Sequence, residues 1–583
     1  MRFAPIVSTV ALALVLQGCA VRQAGREEIV VTAAKAGGDK EDAADAIDGS
    51  ANIAVAGNNL PAPSPAPPPP PGLMTAPFSP AMVGQASPAY RMARQAGATS
   101  YIPSVVVPAD PGNERYDGKT VSPVHLAASD PVSTFSVDVD TGAYANSRRF
   151  LSQGQMPPAD AVRSEELVNY FRYDYPLPAT REAPFSVTTD VATTPWNPAT
   201  RLLRIGLRGY DLPRSARPPA NLVFLVDVSG SMGEADKLPL VKTALAGLAD
   251  QLGAQDKVSI VVYAGAAGLV LPATGDKRQI VAALDRLSAG GSTAGGAGLQ
   301  LAYQVARDNF IKGGVNRILL ATDGDFNVGV SDSKALIAMV EKERDAGVTL
   351  TTLGFGQGNY NDAMMEQVAD HGNGNYAYID TALEARKVLA EQMSSTLFTI
   401  AKDVKIQVEF NPAKVAQYRL LGYENRALRE EDFNNDKVDA GDIGAGHQVT
   451  AIYEIVPTGA KGWIEPRRYG DAGPVAAGRG SELAFVKLRY KLPDGTTSKL
   501  IERAIPATLL ASAGAPRGDM AFATAVAAFG QKLRGDPLLG NLTYAGIAAL
   551  ADGQRDYYRQ EFAKLVAIAG SLDTREGAAV ASR

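Results

Sequence analysis

Between residues 221 and 398, short apolar runs alternate with segments whose apolar residues recur at helical spacing. The apolar runs predict strands at residues 222–226, 258–263, 317–321, 349–355 and 376–379. The intervening segments predict helices at residues 238–252, 278–287, 297–309, 333–346, 362–369 and 383–395. The first run is continuously apolar, as expected for a parallel strand buried on both faces. This alternation predicts an α/β fold with a doubly wound, Rossmann-like sheet.

Both flanks of this region show the alternation of polar and apolar residues that is typical of strands. The predicted flanking strands are at residues 133–141, 185–191, 202–208, 404–410, 418–423, 448–456 and 482–490. Helical spacing recurs at residues 143–153, 165–173, 520–533 and 542–571. We expect strands from both flanks to share one sandwich-like unit. The α/β domain would then be inserted between β-rich segments, with a helical part at the C-terminus.

The N-terminus has the pattern of a secretory signal followed by a disordered segment. Met1 and Arg2 precede an uncharged apolar run that ends at Leu16, which is too short to span a bilayer as a helix. No aromatic residue occurs at residues 20–77, and residues 61–71 contain eight prolines. Such a segment buries too little apolar surface to offset its ordering entropy, so we predict a disordered, Pro/Ala-rich tether.

The residues Leu16-Gln17-Gly18-Cys19 resemble the lipobox of bacterial lipoproteins. The resemblance implies cleavage before Cys19, acylation of this cysteine and attachment to a membrane of the cell envelope. Cys19 is the only cysteine of the chain, and Ala20 follows it, which by resemblance to Gram-negative lipoproteins favours the outer membrane. The alternative is a simple cleavable signal that happens to contain a cysteine. The sequence does not show whether the protein faces the periplasm or the exterior.

These patterns divide the chain into six segments. They are the signal peptide (1–18), the disordered tether (19–118), an N-terminal flanking domain (119–218), the α/β domain (219–398), a β-rich domain (399–510) and a C-terminal helical segment (511–583).

The composition and the motifs of the chain argue against several classes of function. The formal net charge is −5, which argues against a nucleic-acid-binding surface. One cysteine excludes intramolecular disulfides, and three scattered histidines leave almost no ligands for a catalytic zinc site. No G-x-S-x-G or P-loop motif is present. We therefore expect a protein that is not an enzyme.

Oxygen-bearing side chains follow three elements of the predicted sheet. Asp227, Ser229 and Ser231 end the first strand, Thr293 lies in a glycine-rich turn before a helix, and Asp323 follows the strand at 317–321. Ligands of doubly wound sheets bind outside the carboxyl ends of strands, so these groups should converge. Ligand sets made only of oxygen suit Mg²⁺ first, with Mn²⁺ or Ca²⁺ as alternatives.

The same residues resemble the metal-ion-dependent adhesion site (MIDAS) of the von Willebrand factor type A (vWA) domain. Its pattern is D-x-S-x-S, then a Thr, then T-D-G, and every position is filled here. Residues 133–150, 321–328 and 436–447 further resemble bacterial vWA lipoproteins with an N-terminal flanking domain and an uncharacterised C-terminal domain. The resemblance covers nearly everything after residue 119.

The resemblance implies binding rather than turnover. In this family the cation keeps an open position, which an Asp or Glu carboxylate of a protein partner can complete. The rim that would select this partner comprises Glu234, Asp325, Asn359 and Asn361, although Asp325 can equally be a capping residue. The alternative is an envelope scaffold or assembly factor whose metal is capped internally, for example by the acidic residues 430–432.

Other titratable residues have simpler explanations. His371 precedes the strand at 376–379, which places it at the opposite edge of the sheet from the proposed site. Asp138 and Asp140 fit the alternation of a strand end. Residues 432–436 start like an EF-hand loop, but Lys437 replaces the required glycine and no Glu closes the loop.

Overall fold

A computed structural model describes residues 114–292, 295–324, 333–358, 360–465 and 480–573. The signal peptide, Cys19 and most of the predicted tether lie outside the described residues.

The described residues that precede the α/β domain form four strands and two helices. Their bounds are β1 (His125–Leu126), β2 (Val132–Ser136), α1 (Gly142–Ser152), α2 (Ser164–Asn169), β3 (Phe185–Thr194) and β4 (Asn197–Gly209). β3 and β4 form a long antiparallel hairpin in which Thr194 pairs with Asn197 across the turn at Pro195 and Trp196. Both strands extend beyond the predicted ones, because their polar ends pair through the backbone without an alternating apolar pattern.

The α/β domain begins with β5 (Ala220–Asp227), every residue of which is buried. The other strands are β6 (Lys257–Tyr263), β7 (Ala267–Thr274), β8 (Val315–Thr322), β9 (Thr349–Phe355) and β10 (Tyr376–Ile379). Its helices are α3 (Leu238–Ala249), α4 (Lys277–Asp285), α5 (Gly295–Asp308), α6 (Ser333–Asp345), α7 (Asp362–His371), α8 (Ala382–Arg386) and α9 (Met393–Leu397). A π-helical turn, Lys387–Glu391, joins α8 to α9.

The strand order in this sheet is β10-β9-β8-β5-β6-β7, and all neighbours are parallel except the edge pair β6 and β7. The chain leaves β5 toward β6 and later returns on the other side of β5 as β8. The switch point therefore lies between β5 and β8, which confirms the predicted doubly wound sheet. The pattern did not predict β7. Pro272 within it is tolerated because β7 is an edge strand.

After the α/β domain the chain returns to β-structure. The strands are β11 (Thr399–Phe410), β12 (Val415–Leu420), β13 (Ala427–Leu428), β14 (Ile443–Gly444), β15 (Gln448–Pro457), β16 (Glu482–Lys491) and β17 (Ser498–Pro506). Two sheets combine strands from both flanks, in the orders β1-β12-β15-β4-β3 and β13-β2-β11-β16-β17. Aromatic rings join the sheets, since Phe410 of β11 stacks on Tyr418 of β12 at 4.2 Å between centroids. The α/β domain is therefore inserted between the two halves of this β-unit, as predicted.

The C-terminal part is helical, with α10 (Thr508–Ala511), α11 (Gly518–Arg534), α12 (Tyr544–Leu550) and α13 (Tyr557–Leu572). The predicted helical stretch 542–571 is two helices, because Asp556 caps the start of α13 through the amide of Arg559. Helices α11, α12 and α13 form a second apolar core with α1 and α2, in which the rings of Phe171, Phe522 and Phe562 meet edge to face.

Candidate functional site

The candidate site lies at the carboxyl edge of β5 and β8. These strands pair in parallel with Val226 opposite Ala321, so they end at the same level of the sheet. Asp227 is the last residue of β5, and Asp323 directly follows β8. After Asp227 the chain passes through a 3₁₀ turn, Gly230–Gly233, that carries Ser231. The predicted residues of the first and third loops therefore meet at the switch point of the sheet.

The first loop is folded around the carboxylate of Asp227. Its Oδ1 accepts a hydrogen bond from the amide of Ser229 at 2.8 Å, and its Oδ2 accepts one from the hydroxyl of Thr322 at 3.1 Å. The hydroxyl oxygens of Ser229 and Ser231 lie 3.0 Å apart. Asp227, Ser229 and Asp323 are buried, whereas Ser231 is exposed. One hydroxyl of the set thus faces solvent while both carboxylates are enclosed.

The enclosure of two carboxylates has an electrostatic consequence. Burial raises the pKa of Asp227 above its usual value, and the nearby charge of Asp323 raises it further, although the hydrogen bonds from Ser229 and Thr322 oppose this increase. Two buried acidic groups are costly unless positive charge compensates them. Asp323 has part of this compensation from Lys237, whose Nζ lies 3.2 Å from its Oδ2.

The glycine-rich second loop contacts the first loop through its backbone. The amide of Gly290 donates to the carbonyl of Val228 at 2.8 Å, and the amide of Gly230 donates to the carbonyl of Gly291 at 3.0 Å. Gly291 has a φ of +90°, which glycine adopts without strain. Thr293 lies outside the described residues, two positions after Gly291, and its role as a ligand stays a prediction.

The rim contains the connection from β9 to α7, which crosses above the third loop. Gly324, with a φ of +91°, lies so close to this connection that a Cβ there would be 2.5 Å from the amide nitrogen of Asn361. The side chain of Asn361 caps α7 through the amide of Met364 at 3.3 Å. Glu234 is largely exposed beside the first loop. Asp325 and Asn359 lie outside the described residues, and partner contact by the rim stays a prediction.

Comparison with known proteins shows the family. Family models match residues 110–204 (von Willebrand factor), residues 221–392 (von Willebrand factor type A domain) and residues 395–572 (uncharacterised protein YfbK, C-terminal). The chain is 48% identical over 501 residues to the uncharacterised protein YfbK of Escherichia coli K12, a match that covers 84% of this chain and 85% of YfbK. The protein belongs to the YfbK family. The central α/β domain of this family member is its vWA domain, and the α/β fold class is confirmed.

Two solved structures resemble parts of the chain. A von Willebrand factor type A protein of Catenulispora acidiphila is 18% identical, with 61% of this chain and 80% of that chain covered and a TM-score of 0.35. Proximal thread matrix protein 1 of the mussel byssus, described with a zinc-occupied MIDAS motif, is also 18% identical, with 32% and 46% covered and a TM-score of 0.25. At these TM-scores neither structure adds to the family assignment.

Sequence reasoning missed two features of the site in this YfbK-family protein. Lys237, at the start of α3, lies against Asp323, and the pattern gives no sign that its side chain folds back toward the third loop. Glu114 and Arg115 fall within the predicted tether, yet both contact the rim. The amide of Gly358 donates to Glu114 Oε1 at 3.0 Å, and the amide of Arg115 donates to the carbonyl of Tyr360 at 2.9 Å.

The other titratable candidates lie away from the site. His371 ends α7, pairs with Glu341 at 2.8 Å and lines a cavity of about 220 Å³ at the opposite edge of the sheet. Asp138 and Asp140 line the same cavity, and both form ion pairs with Arg426. Asp432 pairs with the neighbouring Arg429. His371 and Asp432 therefore lie outside the site, as the sequence favoured. The prediction that Asp138 and Asp140 end a strand is wrong, because β2 ends at Ser136 and both residues lie in its connection to α1.

Two features are absent from the part of the chain that the structure describes. No group of three or more His, Cys, Asp or Glu side chains there is arranged to hold a metal ion, and the vWA site contains two carboxylates. No helix within the same residues combines the length and apolarity needed to cross a membrane.

Proposed function

We propose that the protein is a lipid-anchored component of the cell envelope whose vWA domain binds a divalent cation and, through it, a carboxylate of a protein partner. One observation carries this proposal. Asp227 and Asp323 are both buried at the switch point of the sheet, with the hydroxyls of Ser229 and Ser231 beside them. Such a pair of enclosed carboxylates next to hydroxyl oxygens is a ligand set for a hard cation.

The residues present fit a divalent cation. Asp227, Ser229, Ser231 and Asp323 supply only oxygen atoms, which favours Mg²⁺, with Mn²⁺ or Ca²⁺ as alternatives. Thr293 completes the proposed set. The bound cation would supply a positive charge at the rim, and an Asp or Glu of the partner would bind to it.

Binding rather than catalysis is the better proposal because hydrolysis at a metal needs a base beside it. His371 is the nearest histidine candidate in the sequence, and it lies at the opposite edge of the sheet. The acidic segment that could cap the metal internally, Glu430–Asn434, contacts β2 and β11 of the β-unit. We therefore favour an external carboxylate over an internal one.

The cation-dependent part of the proposal is tested by affinity capture from envelope extract. The immobilised full-length wild type is used once with Mg²⁺ and once with EDTA. Asp227→Ala is used with Mg²⁺, and Asp250→Ala, at the far end of α3, is the matched control. We expect one or more proteins to be retained with Mg²⁺ by the wild type and the control only. An identical set of retained proteins in all arms would contradict cation-dependent binding.

The anchoring part rests on Cys19 and is tested separately. Cys19→Ser removes the sulfur that would carry the lipid, and each buried CH₂ of such a lipid contributes about 0.8 kcal/mol to membrane binding. We expect this variant to move from the membrane pellet to the soluble fraction. An unchanged distribution between the two fractions would contradict lipid anchoring through this residue.

A further inference from the structure

A buried lysine side chain lies against a carboxylate of the candidate metal site. The Nζ of Lys237 lies 3.2 Å from Oδ2 of Asp323 and 3.8 Å from Oε2 of Glu234. The side chain of Lys237 is only 7% exposed, and that of Asp323 only 1%. Lysine is rarely buried without a partner, because its ammonium group is strongly hydrated. Its burial here is therefore tied to the carboxylate of Asp323.

The stem of Lys237 is fixed by a glycine of the rim. A Cβ on Gly356 would lie 2.4 Å from Cε and 2.5 Å from Cγ of Lys237, so only glycine leaves room for the stem at this position. The carbonyl of Gly356 in turn accepts a hydrogen bond from the hydroxyl of Tyr378 at 2.5 Å. The ammonium group is thus held at one place between α3, the third loop and the rim, unlike a mobile surface lysine.

We propose that Lys237 is a fixed cation of the site that selects for an anionic partner. This inference rests on the proposed function. Asp227 and Asp323 carry two negative charges, which a divalent cation alone would cancel. With Lys237 included, the buried charges of the loaded site sum to one positive, because Glu234 is 65% exposed and its charge is largely screened by solvent. A single carboxylate from the partner then brings the buried charges to zero, which is the least costly state in an enclosed site.

The same charge has two opposing effects on binding. Lys237 repels the incoming cation, so it lowers the affinity of the empty site for the cation. It also attracts the carboxylate, so it raises the affinity of the loaded site for the partner. Neighbouring unit charges near a protein surface interact strongly enough that each effect should be about tenfold or more. Lys237 therefore sets the preference of the loaded site for an anionic partner, and it does not act as a ligand of the cation.

The test uses Mn²⁺ and acetate as probes of the full-length protein. Lys237→Met keeps the apolar stem and removes the charge, and Lys237→Arg keeps the charge. Lys242→Met is the matched control, because Lys242 is a half-buried lysine of α3 whose Nζ donates to the carbonyl of Asp285 at the end of α4. Electron paramagnetic resonance of free Mn²⁺ gives the cation affinity. The relaxation of water protons by bound Mn²⁺ then measures acetate binding, because acetate displaces water from the cation. Circular dichroism verifies that each variant is folded.

We expect Lys237→Met to bind Mn²⁺ about tenfold more tightly and acetate about tenfold more weakly than the wild type. Lys237→Arg and Lys242→Met should stay close to the wild type in both measurements. Equal Mn²⁺ and acetate affinities for the wild type and Lys237→Met would overturn the inference while leaving the proposed function intact. Failure of both proteins to bind Mn²⁺ would overturn the proposed function, and the inference with it.

Discussion

We expect Mg²⁺ to raise the thermal unfolding temperature of the wild-type protein, and we expect Asp227→Asn to abolish this increase. A ligand that binds only the folded state stabilises it by about 2.7 kcal/mol at a concentration of 100 times the dissociation constant. The amide side chain introduced by this substitution keeps an oxygen that can accept the hydrogen bond from the amide of Ser229. It lacks the negative charge that the cation requires. The substitution therefore removes cation binding without removing the turn.

In the cation-free protein, the same substitution should not lower stability. Burial raises the pKa of Asp227, so the folded state favours the protonated form of this residue. Its folded-state pKa lies above the unfolded value, which means that stability is lost as the pH rises through the folded-state pKa. At neutral pH the uncharged amide removes this penalty, and the variant in EDTA should unfold at the wild-type temperature or above it.

Differential scanning fluorimetry in EDTA and in Mg²⁺ measures both effects, with Asp250→Asn as the matched exposed control. The control should gain the same stabilisation from Mg²⁺ as the wild type. Equal stabilisation of Asp227→Asn by Mg²⁺ would show that the cation binds elsewhere. A strong loss of stability of this variant in EDTA would show that Asp227 has mainly a structural role.

We expect Arg419→Ala to destabilise the attachment of the C-terminal helices to the β-unit by about 3–5 kcal/mol. Arg419 of β12 is completely buried and forms ion pairs with Glu454 of β15 at 2.8 Å and with Asp536, after α11, at 2.7 Å. Its guanidinium also donates to Gln531 of α11 at 2.8 Å. Removal of the arginine leaves two buried carboxylates without their cation, which is the costly outcome for such networks.

Limited proteolysis and thermal unfolding together test this expectation. Proteolysis should release fragments from residues 508–572 in Arg419→Ala under conditions that leave the wild type intact. The matched control is Arg386→Ala, because Arg386 is 71% exposed and pairs with Glu391, which is 43% exposed, at the surface. Exposed ion pairs contribute little, so the control should behave like the wild type. Equal protease resistance of both variants would contradict a central role for the buried network.

The sequence predicted those elements whose buried residues follow a regular pattern along the chain. Residues 349–355 form β9 with the predicted bounds. The predicted strand at 222–226 lies within β5, because strands buried on both faces are marked by continuous apolar residues. Strand β17 was not predicted. It lies at the edge of its sheet with mostly exposed side chains, and backbone pairing with β16 forms it without an apolar pattern.

The predicted helix at residues 383–395 is interrupted in the structure. The chain forms α8, a π-helical turn and α9 there, and the amide of Gln392 donates to the carbonyl of Lys387 at 2.8 Å. The Lys387 ammonium is buried over the ring of Tyr170 and donates to the carbonyl of that residue at 2.9 Å. Burial lowers the pKa of Lys387 to about 7. This lysine would be assigned to the surface from the sequence, because its partner is more than two hundred residues away.

The candidate site was predictable to the extent that it depends on strand ends. Asp227 and Asp323 could be brought together from the sequence because parallel neighbours of a doubly wound sheet end at one edge. The contacts of Lys237 and Glu114 were not predictable, since they depend on how long side chains and the N-terminal segment pack against the rim. The residues that form the site could therefore be predicted from the sequence, whereas the residues that surround it could not.

The most direct test of the central claim is a crystal structure of the protein soaked with Mn²⁺, with anomalous diffraction recorded to locate the metal. We predict an anomalous peak at the carboxyl edge of β5 and β8, within direct or water-mediated reach of Asp227, Ser229, Ser231 and Asp323. The peak should be absent from crystals of Asp227→Ala. A Mn²⁺ peak located elsewhere, or a peak at this edge that survives the substitution, would contradict the claim that these residues form a cation-binding site.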